Sequence, residues 1–132
     1  MSTLTIQQAA QETGVSVHTL RYYEKIGLVT PIHRAENGHR RYSDTDIYSV
    51  VFLTRLRATG MPIADMKRYV ELAAQGEGTL PDRLTLLEAH RDAVQQRLIE
   101  VNQHLAVIER KIEHYRESNR DQLERMLPME NV

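Results

Sequence analysis

Along the C-terminal part of the chain, a seam of positions recurs at alternating steps of three and four: Leu84, Leu87, Arg91, Val94, Leu98, Val101, Leu105, Ile108, Ile112 and Tyr115. Nine of these ten positions are apolar. A mean step of 3.5 residues is the seam of a coiled coil. As a helix the segment is about 48 Å long, whereas a head of about 75 residues is roughly 30 Å across. Leaving half the seam in water forgoes on the order of 10 kcal/mol, at about 1.5–3 kcal/mol per large side chain. A partner helix is needed, and a second copy of the chain is the simplest one. Flank charges do not choose an orientation. A parallel pair sets Lys111 against Arg116, and an antiparallel pair sets Glu88 against Glu109.

Upstream the pattern changes to short helices. Thr5-Ile6-Gln7-Gln8 has the form of a capping box, Ile6, Ala9 and Ala10 follow at helical spacing, and Gly14 is placed to stop the helix. Ser16 can cap a second helix that runs to about Lys25 before Gly27. Two short helices joined by a turn containing glycine have helix-turn-helix spacing. Pro31 then breaks any helix, and Asn37-Gly38 is a two-residue hairpin signal. The stretch from Val29 to Tyr42 therefore predicts a β-hairpin whose distal strand carries His39, Arg40, Arg41 and Tyr42. A helix pair plus a basic hairpin makes a winged helix.

Ser43 caps a third helix with Asp44 and Asp46 in its first turn. Its apolar face is Ile47, Val50, Val51, Leu53 and Leu56, and Gly60 ends it. Pro62 suits the first turn of a fourth helix, with Ile63, Met66, Tyr69, Val70 and Ala73 as its apolar face. The expected fold is mainly α. A winged helix-turn-helix head with a small β-hairpin wing occupies residues 1–75, and a linker and helix cap 76–82. A long coiled-coil dimerisation helix occupies 83–117, and a short C-terminal tail 118–132.

Charge adds one feature. The net charge of −1 argues against a nonspecific polyanion binder. Yet Arg21, Lys25, Arg34, Arg40 and Arg41 fall in a window with only Glu24 and Glu36 as acids, a local patch able to neutralise phosphates. The absence of cysteine removes disulfides and thiolate metal sites. No apolar run reaches the roughly 18 residues of a membrane span, and the residues from Met1 to Gln7 do not read as a signal peptide. A cytoplasmic protein without cofactor or metal is expected. A glycine-rich phosphate loop and a nucleophile with a paired base are both missing, so an enzyme is not.

The run from Thr19 to Leu28, Thr-Leu-Arg-Tyr-Tyr-Glu-Lys-Ile-Gly-Leu, closely resembles the MerR family. So do Asn37-Gly38-His39-Arg40-Arg41-Tyr42-Ser43 and the Gly60-Met61-Pro62-Ile63 segment. The resemblance implies a homodimeric transcription regulator with an antiparallel coiled coil, bound to double-stranded promoter DNA. Its palindromic operator would lie in an over-long promoter spacer, which the protein bends and untwists. RNA polymerase is then a partner only indirectly, through the deformed DNA.

Matched motif to motif, Ser16, His18 and Thr19 open the helix that faces the major groove. Arg21 resembles the arginine that reads a base or grips a phosphate. Tyr22 and Tyr23 resemble paired aromatics, one reaching a phosphate while the other packs. Arg34, His39, Arg40 and Arg41 resemble the wing residues that grip backbone phosphates, and Tyr42 resembles a structural residue at the hairpin base.

The resemblance is closest to the short branch answering aldehydes and other electrophiles, which carries a cysteine in its third helix. In Phe52-Leu53-Thr54-Arg55-Leu56-Arg57 that position is Arg55, so the thiol is missing. His90 and His104 fall on coiled-coil flanks two heptads apart and read as solvated residues rather than a pH or metal site. The alternative from another class is a coiled-coil protein-interaction adaptor without specific DNA binding.

Overall fold

The computed structural model describes residues 3–29 and 34–127. Its elements are α1 (Ile6–Thr13), α2 (Val17–Lys25), α3 (Asp44–Ala58), α4 (Ile63–Ala74), a 3-10 turn (Glu77–Thr79) and α5 (Leu80–Met126). The chain forms two compact units, one ending at Arg91 and one beginning at Asp92.

Local chemistry sets the helix starts. Thr5 and Gln8 form a complete capping box, with Gln8 N donating to Thr5 Oγ1 at 3.2 Å and Thr5 N to Gln8 Oε1 at 2.9 Å. Ser43 and Asp46 form a second, at 3.2 and 2.9 Å. Gly14 follows α1 at φ 73°, where a side chain would be strained, and its N–H closes onto the Ala10 carbonyl at 3.0 Å. Pro62 stands one residue earlier than expected, as the N-cap of α4 rather than in its first turn.

The core of the first unit gathers Ile6, Ala9, Leu20, Tyr23, Leu28, Tyr42, Val50, Leu53, Leu56, Met61 and Met66. Of the expected α3 face, Val50, Leu53 and Leu56 are buried while Ile47 packs at the margin. On α4 the buried pair is Met66 and Leu72; Ile63 and Val70 are partly covered and Ala73 is exposed. Near the buried Leu72, the buried Thr79 hydroxyl donates to the Leu72 carbonyl at 2.6 Å, and Arg83 Nε in turn donates to Thr79 Oγ1 at 3.0 Å. This chain of bonds pins the α4–α5 junction within the expected linker.

The wing differs from the expected hairpin. Its proximal part falls on residues 30–33, outside the described residues. Among the described residues the pairing is limited to two isolated antiparallel bridges, Arg34 with Arg40 and Leu4 with Tyr42. The turn is also longer than a two-residue loop. Gly38 N donates to the Ala35 carbonyl at 2.8 Å, Ala35 N donates to the His39 carbonyl at 2.9 Å, and Gly38 alone of the loop has positive φ. A two-residue type I′ turn would need positive φ at Asn37 as well. Asn37 instead uses Oδ1 to accept from His39 N at 3.1 Å. The distal segment ends against the N-terminal residues, with Leu4 and Tyr42 exchanging two 2.8 Å backbone bonds.

Helix α5 starts at Leu80 and continues to Met126, past residue 117 where the sequence places the end of the coiled coil. Within the first unit Leu87 packs against the core, so this seam position is already used by the head. His90 is likewise not a solvated flank residue. Its Nε2 lies 2.7 Å from Thr59 Oγ1 at the end of α3. From Asp92 onward α5 contributes no buried residue; Leu98, Val101, Leu105, Ile108, Ile112 and Tyr115 are all exposed.

Candidate nucleic-acid interface

Helix α2 separates its two faces cleanly. Leu20 and Tyr23 turn into the core, while His18, Arg21 and Tyr22 face outward. Tyr23 is therefore the packing member of the tyrosine pair and Tyr22, 46% exposed, the accessible one, with ring centroids 6.3 Å apart. Ser16 spends its hydroxyl on the helix start, accepting from Thr19 N at 3.1 Å and donating to Thr19 Oγ1 at 2.9 Å. Both side chains hold the helix end in shape, leaving His18 as the freer polar group at its opening.

Arg21, His39 and Arg40 meet around one cleft of about 380 Å³, with Thr5 and Gln7 of the α1 start on its other side. The structure thus brings together the second helix and the wing turn, which are far apart in sequence. Arg34 and Arg40 are not free cations. Arg40 Nε donates to Glu24 Oε2 at 2.5 Å, and Arg34 Nη2 lies 3.4 Å from Glu24 Oε1. Arg34 also donates through Nη1 to the Gly38 carbonyl at 3.1 Å. Arg41 is directed elsewhere, its Nε 3.1 Å from Thr3 Oγ1 and its Nη2 3.4 Å from the Thr3 carbonyl. His39 is exposed at the turn.

Sequence reasoning did not single out Glu24 as a site residue. The available signal was its position as one of two acids in an otherwise basic window.

Tyr42 lies beneath this corner, 1% exposed, its hydroxyl without a hydrogen-bond partner among the described residues. Burial pushes the phenol above its ordinary value of 10.0, and the nearby Glu24 carboxylate adds to the rise against the lowering effect of Arg40. Among the described residues no group of three or more His, Asp or Glu side chains is placed to hold a metal ion, and no helix is long and apolar enough to cross a membrane.

The family described as MerR family regulatory protein matches residues 5–42, and that described as MerR, DNA binding matches residues 49–103. An HTH-type transcriptional regulator of Haemophilus influenzae is 35% identical over 116 residues, covering 88% of this chain and 86% of that protein. A MerR family regulator from Listeria monocytogenes superimposes with a TM-score of 0.84 at 34% identity, over 92% of this chain and 94% of the other. HiNmlR, a MerR family regulator lacking the sensor domain and solved bound to promoter DNA, does so with a TM-score of 0.82 at 35% identity, over 89% and 93%. Fold and relatives together define a sequence-specific, DNA-binding transcriptional regulator of the helix-turn-helix class, which decides against a coiled-coil adaptor. The chain belongs to the MerR family.

Proposed function

We propose that two copies of this chain join through an antiparallel coiled coil and bind a palindromic operator inside a promoter spacer, distorting that DNA. The observation that carries this reading is the apolar row on α5. Six seam side chains from Leu98 to Tyr115 stand between 44% and 62% exposed in the single chain. Pairing along residues 83–117 would cover them, and two-fold symmetry would set two α2 helices at two half-sites. The promoter DNA bound by HiNmlR supports the DNA half of the proposal.

In this reading the head over residues 1–75 grips DNA. His18 and Arg21, with the capping pair Ser16 and Thr19 behind them, meet base edges in the major groove. Tyr22 reaches a phosphate while Tyr23 holds the helix from beneath. Arg34, His39, Arg40 and Arg41 form the wing contact to the backbone, Arg34 and Arg40 doing so while paired with Glu24. RNA polymerase is reached through the altered spacer, and the protein works in the cytoplasm beside its promoter.

Footprinting on promoter DNA tests the proposal. The expected result is two symmetric protected half-sites within an over-long promoter spacer. Arg21→Ala should weaken operator binding by about 1–3 kcal/mol. Protection of a single unsymmetrical site, or unchanged binding by Arg21→Ala, would overturn it.

A further inference from the structure

One carboxylate serves two wing arginines. Glu24 sits on the last turn of α2 with its side chain 16% exposed, and it pairs with Arg40, 22% exposed, and Arg34, 46% exposed. These partners come from 16 and 10 residues further along the chain. The contact therefore ties the wing turn to the helix that carries Arg21. Resting on the DNA-binding reading above, we infer that Glu24 is a positioning residue that sets operator discrimination, by holding the wing in register and by restraining its attraction to phosphates of any sequence.

Two physical effects act together. Two guanidinium groups and one carboxylate leave a net single positive charge where two would otherwise meet the DNA backbone. Phosphate attraction is sequence-independent, so a carboxylate placed against it lowers nonspecific binding more than base-dependent binding. Holding the wing beforehand also spares its ordering when the operator docks, because fixing rotamer-rich arginine side chains costs entropy. Arg40 meets Glu24 through Nε, and its Nη groups carry further N–H donors that an aligned phosphate can engage. A correctly registered backbone finds those donors; a misregistered one meets the carboxylate.

The experiment is a salt series of binding titrations on an operator duplex and a scrambled duplex of equal length, with full-length wild type, Glu24→Gln and Glu24→Asp. Glu24→Gln should bind the scrambled duplex several-fold more tightly. The slope of log affinity against log salt should steepen by about one contact's worth, about 0.9. The operator-to-scrambled ratio should shrink by about tenfold, the two effects combined. Glu24→Asp keeps the charge but shortens the reach, so its slope should match wild type while its ratio falls. If Glu24→Gln does not fold, Glu24→Asp decides alone, and an unchanged ratio overturns the inference. An unchanged slope in folded Glu24→Gln, or equal weakening on both duplexes, makes Glu24 a structural brace only. Wild type that shows no operator preference at any salt fails the DNA-binding reading itself, and this inference with it.

Discussion

Up to Arg91 a cluster of large apolar side chains turns inward, with Tyr22, Tyr48, Leu80 and Leu84 left exposed, whereas from Asp92 to Leu127 none is buried. Both regions are helical, and both have periodic apolar positions. They differ in how many directions the covering surface comes from. Four short helices and a turn surround Leu20, Val50 and Met66 on all sides, and each of these is at most 1% exposed. A single long helix has one apolar stripe and nothing of its own to fold back over it. The head buries a core within one chain, and the stripe is an unmet demand for another surface.

Breaking the stripe should have the largest effect. Leu105→Asp with Ile108→Asp removes four large side chains from the proposed dimer seam, about 6–12 kcal/mol at about 1.5–3 kcal/mol each. Sedimentation equilibrium should then show a monomer at micromolar concentration, with the unfolding transition of the head unchanged. Persistence of a dimer would show that this stripe is not the joint.

Breaking the head should cost less but act within one chain. Leu20→Ala empties a site that is 1% exposed, so urea unfolding should report a loss of about 2–5 kcal/mol. Less than about 1 kcal/mol would mean that the helix pair is loosely packed.

The smallest effect sharpens the comparison inside the head. Tyr42→Phe deletes a buried hydroxyl that has no partner among the described residues, so stability at pH 7 should stay level or rise by about 1 kcal/mol. The sign reverses nowhere on the alkaline side. The folded-state phenol titrates above the unfolded value of 10.0, so wild type keeps its full stability below pH 10 and loses it as pH rises further. The advantage of Tyr42→Phe should therefore grow above pH 10 in thermal melts. Equal alkaline losses in the two proteins would place the phenol in water.

Much of the fold is legible in the residues because it is set by neighbours a few positions apart. The capping boxes at Thr5 and Ser43, the left-handed Gly14 and the seam of α5 all depend on spacings of three or four residues. The wing turn departs from the expected two-residue loop for a local reason too. Asn37-Gly38 favours the tight loop, but the Asn37 side chain satisfied His39 N and left only Gly38 with positive φ. At the candidate interface the sequence marks the charged residues but not how they are arranged. Arg21, Arg34 and Arg40 stand out by charge. Periodicity carries no sign that Glu24 holds two of them, that Arg41 reaches back 38 residues to Thr3, or that His90 meets Thr59 across 31.

The amino-acid order alone determined the helices, the basic cluster and the stripe that one chain leaves open, because hydrogen-bond caps and side-chain period are properties of adjacent residues. Tertiary structure decided which tyrosine is buried, which arginines are already paired and which seam positions the head uses. Those outcomes depend on contacts between distant segments, where desolvation and charge pairing act only after the chain has closed upon itself.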